Sequence, residues 1–418
     1  MRRWKTHTPE GALDILEREC AIKREIENCI RTVYEKSGYF EIQTPVFEFY
    51  DVFADGGEEV GQTAMFKFFD RQGRILALRP DLTTPVARVC ATKYEKEQFP
   101  KRISYVGSAF RDGDAVAGAL QKQFTQGGAE LVGDGAPEAD AEVIALTIRA
   151  LLACGLEDFQ IDLGQAEFFK GVIEQAGLND EKIEQIRRLT DQKSSAALAE
   201  AIKDCSIDGN IKDLILQLPD LYGGIDIALD IKRKNLGRRA AAALDNVIEI
   251  YNILKDYGLE KYIAIDLAMV QGLSYYTGVI VKGFARGVGF SVCGGGRYDN
   301  LAGEFGKSLP ATGVAIGIER VISALGDKKS KISVPVVDTI VCYAKERGVA
   351  YSVAESLRAD GLCVEMSQIN DTLFDNAKSR KIGGIINVIA AENIEIINLS
   401  DGDMKITSIE ELLGGEGK

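Results

Sequence analysis

The stretch that most constrains this chain is Gln271-Gly272-Leu273-Ser274-Tyr275-Tyr276-Thr277-Gly278. It joins two apolar, strand-like runs, Ile263-Ala264-Ile265-Asp266-Leu267 before it and Val279-Ile280-Val281 after it. Two glycines, two adjacent aromatics and a hydroxyl between strands suit a tight backbone that presents polar tips to a ligand. On a strand, Tyr275 and Tyr276 would point to opposite faces, so that one lines a pocket while the other packs. A plain hairpin with an aromatic core pair would account for the same residues. Two further segments follow in order, Cys293-Gly294-Gly295-Gly296-Arg297-Tyr298-Asp299 and Gly313-Val314-Ala315-Ile316-Gly317-Ile318-Glu319-Arg320.

The 418 residues give room for two or three domains and a large core. A net charge of −13 is a poor starting point for binding nucleic acid, which needs basic surface. The eight cysteines include no CxxC pair and mostly sit in apolar runs, so they read as reduced core residues of a cytosolic protein. His7 is the sole histidine, which leaves no set of histidines for a zinc site and no natural Ser-His or Cys-His pair. No metal and no cofactor is expected. Met1-Arg2-Arg3-Trp4-Lys5 has no apolar run behind it and is not a secretory signal. No run approaches a membrane span, so a cytoplasmic chain is expected.

In chain order, Leu16, Ile22, Ile26, Ile30 and Val33 fall largely on one stripe of a helix that Gly38 ends. Tyr39 to Val46 reads as a strand broken by Pro45. Met65 to Phe69 and Ile75 to Leu78 read as short strands around an Asp70-Arg71-Gln72-Gly73 turn. Arg79-Pro80-Asp81-Leu82-Thr83-Thr84-Pro85 follows, and then a strand from Ile103 to Phe110-Arg111. A Gly- and Ala-rich loop, Asp112 to Leu120, separates that strand from Phe124-Thr125-Gln126-Gly127-Gly128-Ala129-Glu130-Leu131. Ala141 to Cys154 is an apolar helix, and Phe159 to Leu163 a buried strand. Residues 167 to 257 carry Leu, Ala, Glu and Lys at helical spacing and read as an inserted helical subdomain. Gly326 to Lys331 is a polar linker. Beyond it, three apolar strands alternate with helices, the pattern of a small α/β domain.

Taken together, these segments resemble the class II aminoacyl-tRNA synthetases, and within them the histidyl-tRNA synthetases and their relatives. The resemblance implies an α+β fold over 1–325, an antiparallel sheet flanked by helices, with the helical insertion at about 167–257. It also implies an anticodon-binding-like α/β domain over 334–418. The helix from Ile22 to Val33 and the strand after it resemble the dimer-forming first motif. In the synthetases, the positions matching Asp81 and Thr83 meet the amino group of histidine. Those matching Gln126 and Glu130 hold the amino acid, the one matching Tyr276 (beside Tyr275) reads the ring, and those matching Arg111 and Arg320 are the arginines of the second and third motifs. The residue types suit that ligand: a carboxylate and a tyrosine can bond two ring nitrogens, and Asp81, Thr83 and Gln126 offer acceptors to an ammonium. Read singly, Asp81 and Thr83 would serve as well to cap a helix starting at Pro85, and Gln126 and Glu130 to form a solvated strand face.

The departures separate this chain from the active synthetases. Gln271 stands where they carry an arginine, and a neutral amide supplies no bidentate charge-assisted pair. Gly113 stands where an acid holds the adenine amino group, and Gln121-Lys122-Gln123 offers no arginine to a nucleotide. From Pro335 to Lys418 there are 8 basic and 14 acidic side chains, a net −6, which does not suit an anticodon reader. The pattern is more similar to the synthetase paralogues that act as non-catalytic regulatory subunits of ATP phosphoribosyltransferase, the first step of histidine biosynthesis. That resemblance implies a short-form catalytic ATP phosphoribosyltransferase chain as partner and histidine as effector. It also implies a homodimer within a hetero-oligomer, with no nucleic acid and no membrane. An active histidyl-tRNA synthetase and a free-standing histidine-binding protein are the alternatives.

Overall fold

The apolar stripe near the start forms the helix Glu17–Lys36, burying Ile22, Ile26, Ile30 and Tyr34. Leu16 precedes its first turn on extended backbone and stays exposed. Gly38 takes φ +80°, and the amides of Gly38 and Tyr39 return to the carbonyls of Glu35 and Tyr34. This left-handed glycine closes the helix by satisfying its last carbonyls. The computed structural model describes residues 4–54, 64–112, 121–272 and 275–413. Gly113, the loop residues up to Leu120, Leu273 and Ser274 lie outside the described residues.

The chain divides into two units, Met1–Ile332 and Ser333–Lys418. The first unit's strands are β1 (Phe40–Glu41), β2 (Phe47–Phe49), β3 (Lys67–Phe69), β4 (Ile75–Leu78), β5 (Lys101–Phe110) and β6 (Gln123–Val132). They continue with β7 (Phe159–Gln165), β8 (Tyr222–Gly223), β9 (Ile263–Asp266), β10 (Val279–Ala285), β11 (Ser291–Arg297) and β12 (Ala311–Gly317). Nine of them form one sheet in the order β1-β5-β6-β12-β11-β10-β7-β9-β8, mostly antiparallel, while β2-β4-β3 form a small one. The expected strand from Tyr39 to Val46 is thus split: β1 joins the large sheet, and after Pro45 the chain moves to the small one. The runs flanking the 271–278 stretch do not form a hairpin. β7 lies between them, parallel to β9 and antiparallel to β10.

One face of the large sheet buries Leu131, Leu163, Val281 and Val314 against helices Glu17–Lys36, Pro137–Ala153, Ala166–Ala176 and Arg238–Asp256. The helical stretch is less separate than expected. Its outer helices bury Phe168, Phe169, Leu244 and Ile250 in this same core, and Tyr222–Gly223 adds a strand to the sheet's edge. Gly326–Lys331, expected as a linker, is a 3₁₀ turn.

In the second unit, β13 (Thr339–Tyr343) pairs in parallel with β14 (Val364–Gln368) and β15 (Gly384–Ala390). The antiparallel strands β16 (Asn393–Asn398) and β17 (Met404–Thr407) complete the sheet. Helices Arg347–Ala359 and Leu373–Ser379 bury Val353 and Ala377.

Candidate functional site

The other face of the large sheet is paved with glycine. Gln126, Gly128 and Glu130 alternate along β6 and share a face, by the two-residue period of a strand. Glu130 stands opposite Gly313, which stands opposite Gly296; Gly128 stands opposite Ala315, which stands opposite Gly294. The glycines make room for the Tyr105 ring over Gly128 and the Glu130 carboxylate over Gly313, and leave the space above Gly294 open. Above this face opens a cleft. Asp81, Thr83, Arg111, Gln126, Tyr275, Tyr276 and Tyr298 contribute to its walls.

Glu130 does not line the cleft but lies directly behind its wall. Its carboxylate accepts from Thr83 Oγ1 and Tyr105 Oη, each at 2.9 Å, and from Tyr298 Oη. Thr83 and Tyr298 are wall residues, so the cleft reaches Glu130 through them. At 1% exposure it is no part of a solvated face. Burial pushes its pKa up to about 7, although the three hydroxyl donors oppose the shift; the nearby acid Asp81 acts in the same direction as burial. The sign for stability follows. Between pH 4.5 and 7 the folded chain holds this proton more tightly than the unfolded chain, so this stabilisation is full below 4.5 and is lost as pH rises through 7. Replacing Glu130 with glutamine should therefore reduce the loss of unfolding free energy between pH 5 and pH 7 by about 2 kcal/mol, measured by urea denaturation at both values. An identical pH dependence in the two proteins would contradict this.

Asp81 both supports a helix start and lines the cleft. Its Oδ1 accepts from the Thr84 amide at 2.8 Å, at the start of helix Thr83–Thr92, and the residue still lines the cleft. Thr83 Oγ1 donates to Glu130 and also lies 3.3 Å from Tyr105 Oη. Gln126 has a buried Oε1 with no hydrogen-bond partner. Arg111 donates through Nε to the Pro80 carbonyl and lies over the Phe124 ring. Arg320 does not line the cleft and donates to the Ser291 carbonyl at 2.8 Å. Burial lowers its pKa, and the charge of Arg111 adds to the shift.

The two tyrosines are not on a strand. Gly272 takes φ +68°, and the amides of Tyr275 and Tyr276 both donate to its carbonyl. The resulting turn sets the rings edge to face at 5.0 Å, and Tyr275 stacks on Tyr298. Both therefore face the cleft, rather than one facing in and one out. Gln271, before the turn, is exposed and its Oε1 accepts from Lys282.

Sequence reasoning did not single out Tyr105 or Tyr298, the hydroxyl partners of Glu130. It also missed Arg79, buried and donating to Ser108 O, Thr44 O and Pro45 O, which fixes the loop before Asp81. Among the described residues no group of three or more His, Cys, Asp or Glu side chains could hold a metal ion.

The family model of histidyl-tRNA synthetase matches residues 11–321. The ATP phosphoribosyltransferase regulatory subunit of Acetivibrio thermocellus is 49% identical, with 99% of this chain and 100% of that one covered. The protein of the same name from Ruminiclostridium cellulolyticum is 42% identical, with both chains fully covered. A crystal structure described as an ATP phosphoribosyltransferase regulatory subunit/histidyl-tRNA synthetase from Bacillus halodurans superposes with a TM-score of 0.84 at 28% identity, covering 93% of this chain and 99% of that one. A Nostoc histidyl-tRNA synthetase, 23% identical with a TM-score of 0.77 and 97% of each chain covered, shares the fold. By these likenesses the chain belongs to the ATP phosphoribosyltransferase regulatory subunits, a branch of the histidyl-tRNA synthetase family with the class II synthetase fold.

Proposed function

We propose that this chain is a non-catalytic subunit that activates a short-form catalytic ATP phosphoribosyltransferase chain and passes it the histidine signal. The observation that carries the histidine part is the orphaned Oε1 of Gln126, in the same cleft wall as Asp81 and Thr83. A buried acceptor without a partner is costly, and an ammonium relieves it. The amino end of histidine then meets these three residues, and its ring meets Tyr275 and Tyr276, with Glu130 acting from behind Thr83 and Tyr298. Adenylation chemistry is not supported, because Gln271 offers no charge to a phosphoryl centre. The unit within the assembly is a homodimer built on helix Glu17–Lys36, and light scattering should give twice the chain mass.

Titration calorimetry with histidine tests the pocket. Binding should be seen for the wild type and weakened by about 1–3 kcal/mol in Glu130→Ala, the effect of unpairing Thr83, Tyr105 and Tyr298. Equal binding by the two proteins would place the histidine site elsewhere. Histidine-dependent ATP–pyrophosphate exchange by the purified chain would contradict the non-catalytic reading.

A further inference from the structure

We infer that Lys170 is a positioning residue for the cleft, latching the tyrosine turn from outside. It sits in helix Ala166–Ala176, at the start of the helical stretch, and does not line the cleft. Its ammonium donates to the Tyr276 carbonyl at 3.2 Å and to Glu167 Oε1 at 3.0 Å. One turn earlier, the Ala166 amide donates to the Gly278 carbonyl at 2.9 Å. The same helix thus holds the turn at two carbonyls. Glu167 is fixed in its turn by Arg239, whose Nε lies 2.7 Å from Oε2. Arg239 belongs to helix Arg238–Asp256, at the far end of the helical stretch, and also reaches Glu174.

The plainer reading is a helix-surface ion pair of Lys170 with Glu167, three residues apart, which would contribute little. Two facts weigh against it. Lys170 is half-buried, and its second contact is to backbone 106 residues away. On its other side the turn is held by the Thr277 amide donating to the Arg297 carbonyl at 2.8 Å. Tyr276 therefore hangs between strand β11 and the Lys170 latch. Arg239, Glu167 and Lys170 form a continuous polar chain from the surface of the helical stretch to a cleft residue. A ligand whose binding depends on the placement of Tyr276 is thereby coupled to these helices, and by reciprocity a partner that shifts them changes affinity in the cleft.

The inference rests on the histidine reading only for the ligand used, so the test has one arm without ligand. Hydrogen exchange is followed in the ligand-free full-length chain, and histidine affinity is measured by calorimetry, for wild type, Lys170→Met, Lys170→Arg and Glu167→Gln. Lys170→Met should speed exchange of the Tyr275, Tyr276 and Thr277 amides by about tenfold, leave helix Thr83–Thr92 unchanged, and weaken histidine binding about 5- to 10-fold. Lys170→Arg, which keeps a cationic donor, should stay within about twofold of wild type in both. If the methionine variant does not fold, Glu167→Gln, which loosens the anchor of Lys170, should show the same two changes at smaller size. Unchanged exchange at the turn would overturn the latch. Faster exchange with unchanged affinity would overturn its role in positioning the cleft. If the wild type binds no histidine, the pocket reading fails, and the exchange arm still decides the latch.

Discussion

Arg297→Met is expected to destabilise the first unit by about 3–5 kcal/mol, because it leaves a buried acid without its counter-charge. Arg297 is 6% exposed and Asp140 1%. Its Nε donates to Asp140 Oδ2 at 3.1 Å, while Nη2 lies 3.0 Å from Oδ1 at ion-pair distance. The remaining guanidinium hydrogens go to the carbonyls of Asp134 and Ala136 and to Asp299. Burial already pushes the Asp140 pKa up against the pull of Arg297, so removing the cation should leave the carboxyl protonated and poorly partnered. The damage should reach the cleft as well, since the Arg297 side chain fills the space that a Cβ on Gly278 would need. Urea denaturation measures the loss. Pairing the change with Asp140→Leu should recover much of it, because two apolar groups leave no stranded charge. A single variant within 1 kcal/mol of wild type would contradict this account.

The second large effect is expected at Gly313. A Cβ there would fall 1.5 Å from Glu130 Oε2 and 2.9 Å from the Ala129 carbonyl. Gly313→Ala must therefore push the Glu130 carboxylate out of its three hydroxyl bonds, a loss of about 3 kcal/mol at roughly 1 kcal/mol each. Histidine binding should disappear from calorimetry. Gly303→Ala is the matched control, since nothing lies within 4 Å of its added carbon. It should stay within about 0.5 kcal/mol of wild type. An alanine variant at position 313 that folds and binds normally would show that the Glu130 arrangement is not needed.

Much of this architecture was legible because strand periodicity and glycine placement are local signals. Gln126, Gly128 and Glu130 alternate in the sequence itself, and the order of segments carried the family resemblance. The glycine after helix Glu17–Lys36 was equally readable. What escaped depends on register or on distant contacts. Tyr105 lies over Gly128 because β5 and β6 pair those two residues, so close that a Cβ on Gly128 would fall 2.3 Å from the ring. No local pattern announces such a pairing. Arg297 and Asp140 are 157 positions apart. A strand reading of Tyr275 and Tyr276 rests on their place between two strand-like runs. The positive φ of Gly272 curls the backbone instead and turns both rings to the same cleft. Tyr222–Gly223 falls inside the stretch read as helical, and at two residues a strand gives almost no periodic signal. The two readings of Asp81 stay open in the sequence because they do not exclude each other: the acid accepts from the Thr84 amide at a helix start and still lines the cleft.

The central claim is that this chain enables another chain's catalysis. The most direct measurement is the ATP phosphoribosyltransferase activity of the short-form catalytic chain, assayed alone and after co-expression and co-purification with this chain. The account predicts that the two chains purify as one assembly and that activity appears, or rises by at least about tenfold, only in that assembly. Equal activity with and without this chain, or no stable assembly between them, would contradict it.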